Sequence, residues 1–291
     1  MDTAPIRNRP TGTAYGRPKQ SHDATLAEVG PGTACGEFMR RYWHPVGLSS
    51  EATTVPKPVR LLGEDLVLFR DRRGRPGLLY PRCMHRGTTL YYGRVEDEGI
   101  RCCYHGWLFD VEGRCLDQPC EAKGGKHKDK IRQPWYPVAE QYGLIWAYMG
   151  PPERIPLLPK YDIFENLSPG ELLEPFDTGL GTGGNGEGLT PPCNWLQHWE
   201  NIVDPYHVVV LHCSFSGNQF VPEMAVMPKL RWEYVSSGVA VISDRSLDDG
   251  QLLHRVTHAR LPTLRLVPQP RLQPGPLDVI GWTIPIDDTH Y

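Results

Sequence analysis

The chain has 291 residues, of which 40% are hydrophobic and 22% charged. That is enough to bury a core, and the chain is too long to be a mini-protein stapled by disulfides. Its 31 basic residues against 34 acidic ones give a net charge of −3, which offers no basic surplus for nucleic acid or an anionic membrane.

Residues 1–25 are polar and rich in Arg, Pro and Thr, without the apolar stretch of a secretory signal, and read as an extended arm. No run approaches the ~20 apolar residues of a membrane span. The expected compartment is a reducing cytoplasm, where the eight cysteines are free or metal-bound rather than disulfide-paired. The 30 glycines and 29 prolines are about a fifth of the chain, against ~12% in average usage. They predict turns and short strands, not a helical bundle.

An N-terminal arm and helix fill 1–42. The segment Phe38–Gly47 is apolar and aromatic, and Pro58–Arg70 reads as a hairpin turning at Gly63-Glu64-Asp65. Further short strands follow at 77–80, 106–110 and 142–148. Together they make a compact, mostly antiparallel β module over 43–152. Pro151 and Pro152 mark its boundary. Residues 153–177 are poorly periodic, and Gly179–Gly188 carries six glycines and reads as a flexible linker. A helix is predicted over Asn194–Cys213, largely buried because its apolar residues occupy more than one face. Alternating runs at 239–243, 252–261 and 279–286 predict antiparallel strands. The fold class is α+β, with a second unit over 153–291.

Two segments of the β module carry chemistry. Cys83-Met-His85 and Cys102-Cys-Tyr-His105 are separated by sixteen residues, and Gly87 and Gly106 follow close behind the histidines. Two thiolates and two imidazoles suit Zn²⁺ or an iron–sulfur cluster. Zinc fingers of the Cys2His2 kind keep their Cys pair and His pair apart. Here each arm mixes one of each, as a Rieske [2Fe–2S] centre requires with two Cys on one iron and two His on the other. The thiolates are expected on the buried side, with the imidazoles facing outward. Either Cys102 or Cys103 could serve. The remaining cysteines read as ordinary core or surface thiols.

The second segment runs from Glu200 to His212. On a continuous helix Glu200, Asp204 and His207 share one face at i, i+4 and i+7. His212 is five residues past His207, about 140° round an ideal helix. Both imidazoles reach one metal only if the helix is distorted, and Pro205 offers a cause. Two His with an Asp and a Glu in thirteen residues are costly to bury without a metal or partners.

These segments resemble those of Rieske non-haem iron ring-hydroxylating oxygenases, α subunit, phthalate/vanillate-type. The first matches C-x-H-x16-C-x2-H followed by HGW and FD, which selects Cys102. The second matches (D/E)-x3-D-x2-H-x4-H. The resemblance implies a [2Fe–2S] cluster on Cys83, His85, Cys102 and His105, and a mononuclear Fe(II) on His207 and His212. It implies that Asp204 bridges to a cluster histidine, His105, of a neighbouring subunit in a homotrimer. It implies a Rieske domain over 43–152 and a helix-grip-like catalytic domain over 153–291. It implies partners: an NAD(P)H-dependent reductase, a ferredoxin or both, O2, and an aromatic substrate that is hydroxylated or O/N-dealkylated. Trp195, Tyr206, Val209 and Phe215 are candidate substrate contacts or plain core. The family's third iron ligand, a downstream Asp, has no counterpart: Asp287 and Asp288 fall on a strand-and-loop position. The chain is therefore expected to be cut short at its C-terminus, to hold the cluster and to bind mononuclear iron weakly. The competing reading is a Rieske electron-transfer protein without oxygenase activity. A structural zinc protein fits the mixed arms poorly.

Overall fold

A computed structural model describes residues 21–177, 190–215, 217, 219–268 and 279–291. Most of the predicted arm and the glycine-rich 179–188 segment lie outside the described residues. Four antiparallel sheets account for the strands, one of three, two of four and one of five, as the turn-rich composition predicts.

The hairpin strands Lys57–Leu61 and Glu64–Arg70 pair with Pro76–Leu79 and Trp135–Tyr136. The run Leu66–Phe69 is buried on both faces: Leu66 and Leu68 enter one core, Val67 and Phe69 the other. Period-two side-chain direction turns four consecutive apolar residues into the seam between two cores. The hairpin turns at Leu62-Gly63, not at Gly63-Glu64-Asp65. Both residues have positive φ, 49° and 79°, as a two-residue type I′ turn demands. Glu64 and Asp65 already belong to the second strand. The turn is clamped from outside. Leu62 N–H and Gly63 N–H donate to the carbonyls of Pro285 and Ile286 at 3.0 and 2.8 Å. Arg40 Nη2 donates to the Leu62 carbonyl at 3.0 Å.

A second small sheet, Arg94–Glu96, Gly99–Arg101, Leu108–Phe109 and Cys115–Asp117, builds the other core with Val95, Ile100, Trp107 and Phe109. A three-stranded sheet orders Trp43–Leu48, Leu144–Tyr148 and Val138–Gln141.

Beyond these lies an antiparallel five-stranded meander: Lys229–Val235, Gly238–Ser246, Leu252–Arg260, Leu264–Val267 and Val279–Trp282. It includes the alternating runs, the last of them only as far as Trp282 and not to 286, and two strands that the periodicity did not mark. The helix Trp195–Asn201 places Trp195, 4% exposed, in the same core as Leu61 and Ile145. The Trp195 indole N–H donates to the Ala27 carbonyl, so Trp195 is core and not a substrate contact. No helix among the described residues is long and apolar enough to cross a membrane.

Candidate iron–sulfur and mononuclear iron sites

The two Cys–His arms fold as one motif used twice. In the first, the Cys83 N–H donates to the Thr88 carbonyl at 2.9 Å, and the Cys83 carbonyl accepts from Gly87 N–H at 2.8 Å. In the second, Cys102 N–H donates to the Trp107 carbonyl at 2.8 Å, and its carbonyl accepts from Gly106 N–H at 3.1 Å. The glycines close both loops at φ +73° and +72°, a conformation open to Gly at little cost. At Gly106 a Cβ would also stand 2.7 Å from Pro119 Cγ, while Gly87 faces open space. The spacing C-x-H against C-x2-H is thus one loop with its imidazole on the second or the third residue.

Each loop has its own fastener. Gln133, 0% exposed, accepts from Met84 N–H at 2.9 Å and donates to the Tyr80 and Arg82 carbonyls at 2.7 and 2.8 Å. Arg101 donates to the Gly106 carbonyl and to Asp117 and Glu96. The Arg101 guanidinium, then Arg94, holds the Glu96 carboxyl down at about 2.

Both thiols are buried at 3% exposure, and they stand within hydrogen-bonding reach of each other. Burial and the neighbouring Cys102 thiol push Cys83 up to about 11, against donation from the His85 and Arg86 amides. Iron would replace that proton. The His85 and His105 rings lie 4.6 Å apart, edge to face, and both are partly exposed. His85 stacks on Trp107 at 4.4 Å and 5°. Its Nδ1 is buried and without a hydrogen-bond partner, and its Nε2 lies 3.8 Å from Glu121. Burial first, then His105 and Arg86, hold His85 below its ordinary range. A buried ring nitrogen with nothing to bond, beside two buried thiols, fits a cluster ligand. Cys103 is exposed, next to buried Cys102. All eight cysteines are free.

The second site corrects the predicted helix. Helix Trp195–Asn201 stops, residues 202–205 form turns, and a π-helix runs from Val208 to Phe215. Glu200 and Asp204 therefore do not share a helical face with His207. The i→i+5 turn of a π-helix stacks residues five apart, which is the separation of His207 and His212. Their rings lie 5.3 Å apart. His207 Nδ1 bonds the Asp204 carbonyl, with the Asp204 carboxylate 3.8 Å away. His212 Nδ1 bonds Gln219 Oε1 at 2.8 Å. Both rings thereby hold Nδ1 as a donor and leave Nε2 for a metal, the tautomer that outer partners select.

The segment is not buried, contrary to expectation: Val210, Leu211 and Phe215 are 48%, 46% and 84% exposed, and Tyr206 is 45% exposed. Among the described residues, no three His, Cys, Asp or Glu side chains close together on one ion. Asp287 accepts from Thr289 and Arg60, and Asp288 accepts from Val29 N–H at 2.7 Å. Both acids are thus occupied in holding the chain's last residues to Val29 and Arg60. Gln219, Gln133 and Trp107 were not foreseen as site residues. Only Trp107 carried a signal, in the HGW triplet.

Residues 42–141 match the Rieske [2Fe-2S] domain. The chain is 53% identical over 281 residues to the phenoxybenzoate dioxygenase α subunit of Ectopseudomonas oleovorans, covering 96% of this chain and 69% of that one. It is 38% identical to the tert-butanol monooxygenase/tert-amyl alcohol desaturase oxygenase subunit of Aquincola tertiaricarbonis, covering 98% and 63%. Among solved structures, the terminal oxygenase of carbazole 1,9a-dioxygenase from Novosphingobium superposes with a TM-score of 0.60 at 25% identity, over 92% of this chain and 73% of that one. With paired Cys–His loops, two histidines five residues apart at a π-helix and this kinship, the chain belongs to the oxidoreductase family of Rieske non-haem iron oxygenases, α subunits of the phthalate/vanillate type.

Proposed function

We propose that the chain acts as the terminal component of a multi-component oxygenase. It takes electrons from NAD(P)H through a reductase, with or without a ferredoxin, and hydroxylates or O/N-dealkylates an aromatic substrate with O2. The observation that carries this reading is one chain holding both the paired Cys–His loops and two imidazoles with Nε2 left free. When bound, the [2Fe–2S] cluster supplies one-electron transfer and the mononuclear Fe(II) supplies O2 activation.

The residues divide the remaining work. Cys83 and Cys102 give up their protons to bind on the buried side, and His85 and His105 bind at the partly exposed edge. His207 and His212 hold Fe(II) through Nε2. Asp204 fixes the His207 ring through its carbonyl, while its half-exposed carboxylate, which accepts from Tyr206 N–H at 3.1 Å, keeps an exposed edge to meet His105 of a second copy. That exposure at both ends supports a head-to-tail homotrimer. The boundary at 152 separates the Rieske unit from the catalytic unit, and the compartment is the cytoplasm.

The test is turnover of phenoxybenzoate, the compound in the name of the 53% relative. The chain is supplied with NADH, a reductase and ¹⁸O2. The reading predicts ¹⁸O in the product. Cluster reduction and reoxidation with no ¹⁸O incorporated would favour the electron-transfer reading instead.

A further inference from the structure

A cavity of about 360 Å³ opens between the strands Trp43–Leu48, Lys57–Leu61 and Val279–Trp282, within the usual size of small-ligand sites. None of the proposed iron ligands lines it, nor does Asp204. Val59, Leu144, Ile280 and Trp282 give it apolar walls.

Its inner end is polar. Arg265 Nη1 donates to His198 Nε2 at 2.7 Å. Burial lowers His198 to about 4 and pulls Arg265 below its usual range, so the guanidinium rests on a neutral ring. Among the described residues no carboxylate pairs with Arg265. The other cations of the lining are matched: Lys57 with Glu51 at 2.7 Å, and Arg60 with Asp65 and Asp287. Glu174 and Asp177 sit at the exposed mouth. Arg265 lies across Gly281, where a Cβ would come within 2.5 Å of its Nε. The glycine is what admits the guanidinium.

A sheltered cation without a counter-ion is costly. A carboxylate meets that cation, because guanidinium presents a planar donor fork to it. We infer that this junction binds a small organic acid with a flat apolar body, its carboxylate on Arg265. The site is separate from the iron site and does not depend on the proposed oxygenation.

The test is calorimetric titration of the purified chain with benzoate, with benzyl alcohol as the uncharged control. Benzoate should bind saturably and benzyl alcohol should not. Arg265→Gln should weaken benzoate by about tenfold or more, and Arg265→Lys, which keeps the charge but loses the planar fork, by less. His207→Ala should leave the affinity unchanged. Failure of the wild-type chain to bind benzoate, equal binding of benzyl alcohol, or wild-type affinity in Arg265→Gln would overturn the inference. Loss of binding in His207→Ala would move the ligand to the iron site and overturn it too. If Arg265→Gln fails to fold by near-UV circular dichroism, Arg265→Lys carries the test, and unchanged affinity there overturns the inference.

Discussion

The cluster loops and the two-histidine helix are both short runs of metal-binding residues, yet the chain builds them in opposite ways. The loops are closed by backbone bonds, left-handed glycines and buried fasteners, with thiols at 3% exposure. The helical site hangs on one irregular element whose residues range from partly to largely exposed, none of them buried. Its histidines are aimed by single bonds to Asp204 and Gln219. The lesson is about preorganisation. Rigid packing fixes the first site, whereas the second is set by one backbone irregularity and two outer partners.

The sharpest way to break that contrast is to remove ligands. Cys83→Ser should abolish the cluster, with complete loss of its visible absorbance and about two iron atoms per chain. His207→Ala should leave the absorbance intact and cut turnover more than about 100-fold, beyond what losing an outer partner costs. Gln219→Leu tests the aiming bond alone. Iron affinity at the helical site should fall by about 10–100-fold while the cluster spectrum does not move, as titration with Fe(II) would show.

Smaller effects compare the two loops with each other. Gly87→Ala should cost about 1–2 kcal/mol for the left-handed backbone. Gly106→Ala should cost more in chemical denaturation, because its Cβ also meets Pro119 at 2.7 Å. Equal costs would mean that Pro119 yields freely.

The smallest effect is a matter of pH. His44, 0% exposed and bonded to the Met39 carbonyl, is held by burial at about 4, against 6.5 when free. The unfolded chain takes up that proton first as pH falls, so stability is complete above 6.5 and is lost on acidification towards 4. His198, also lowered to about 4, adds a parallel loss from the other region. Urea unfolding at pH 7 and pH 5 should differ by on the order of 1–2 kcal/mol for His44 alone, and His44→Phe should flatten that slope.

How much of this was legible in the sequence follows the same division. Four residues at fixed spacing, with a glycine behind each histidine, specify two local loops, and local geometry is what sequence spacing encodes. The hairpin and the alternating strands were legible for the same reason. The helical site was less so. Ideal helical periodicity put Glu200, Asp204 and His207 on one face and His212 off it. The chain instead breaks at 202–205 and resumes as a π-helix, a change of hydrogen-bond register that apolar periodicity does not report. Gln219 and Gln133 stayed hidden because each acts through a contact made by loop geometry or by long-range folding.

The central claim is that two distinct iron sites are served by two separate sets of residues. Electron paramagnetic resonance of the anaerobically reconstituted, dithionite-reduced protein tests it most directly. A [2Fe–2S] signal with hyperfine coupling to histidine nitrogen, identical in wild type and His207→Ala, is the predicted result. A signal without nitrogen coupling, or one that disappears in His207→Ala, would contradict the account.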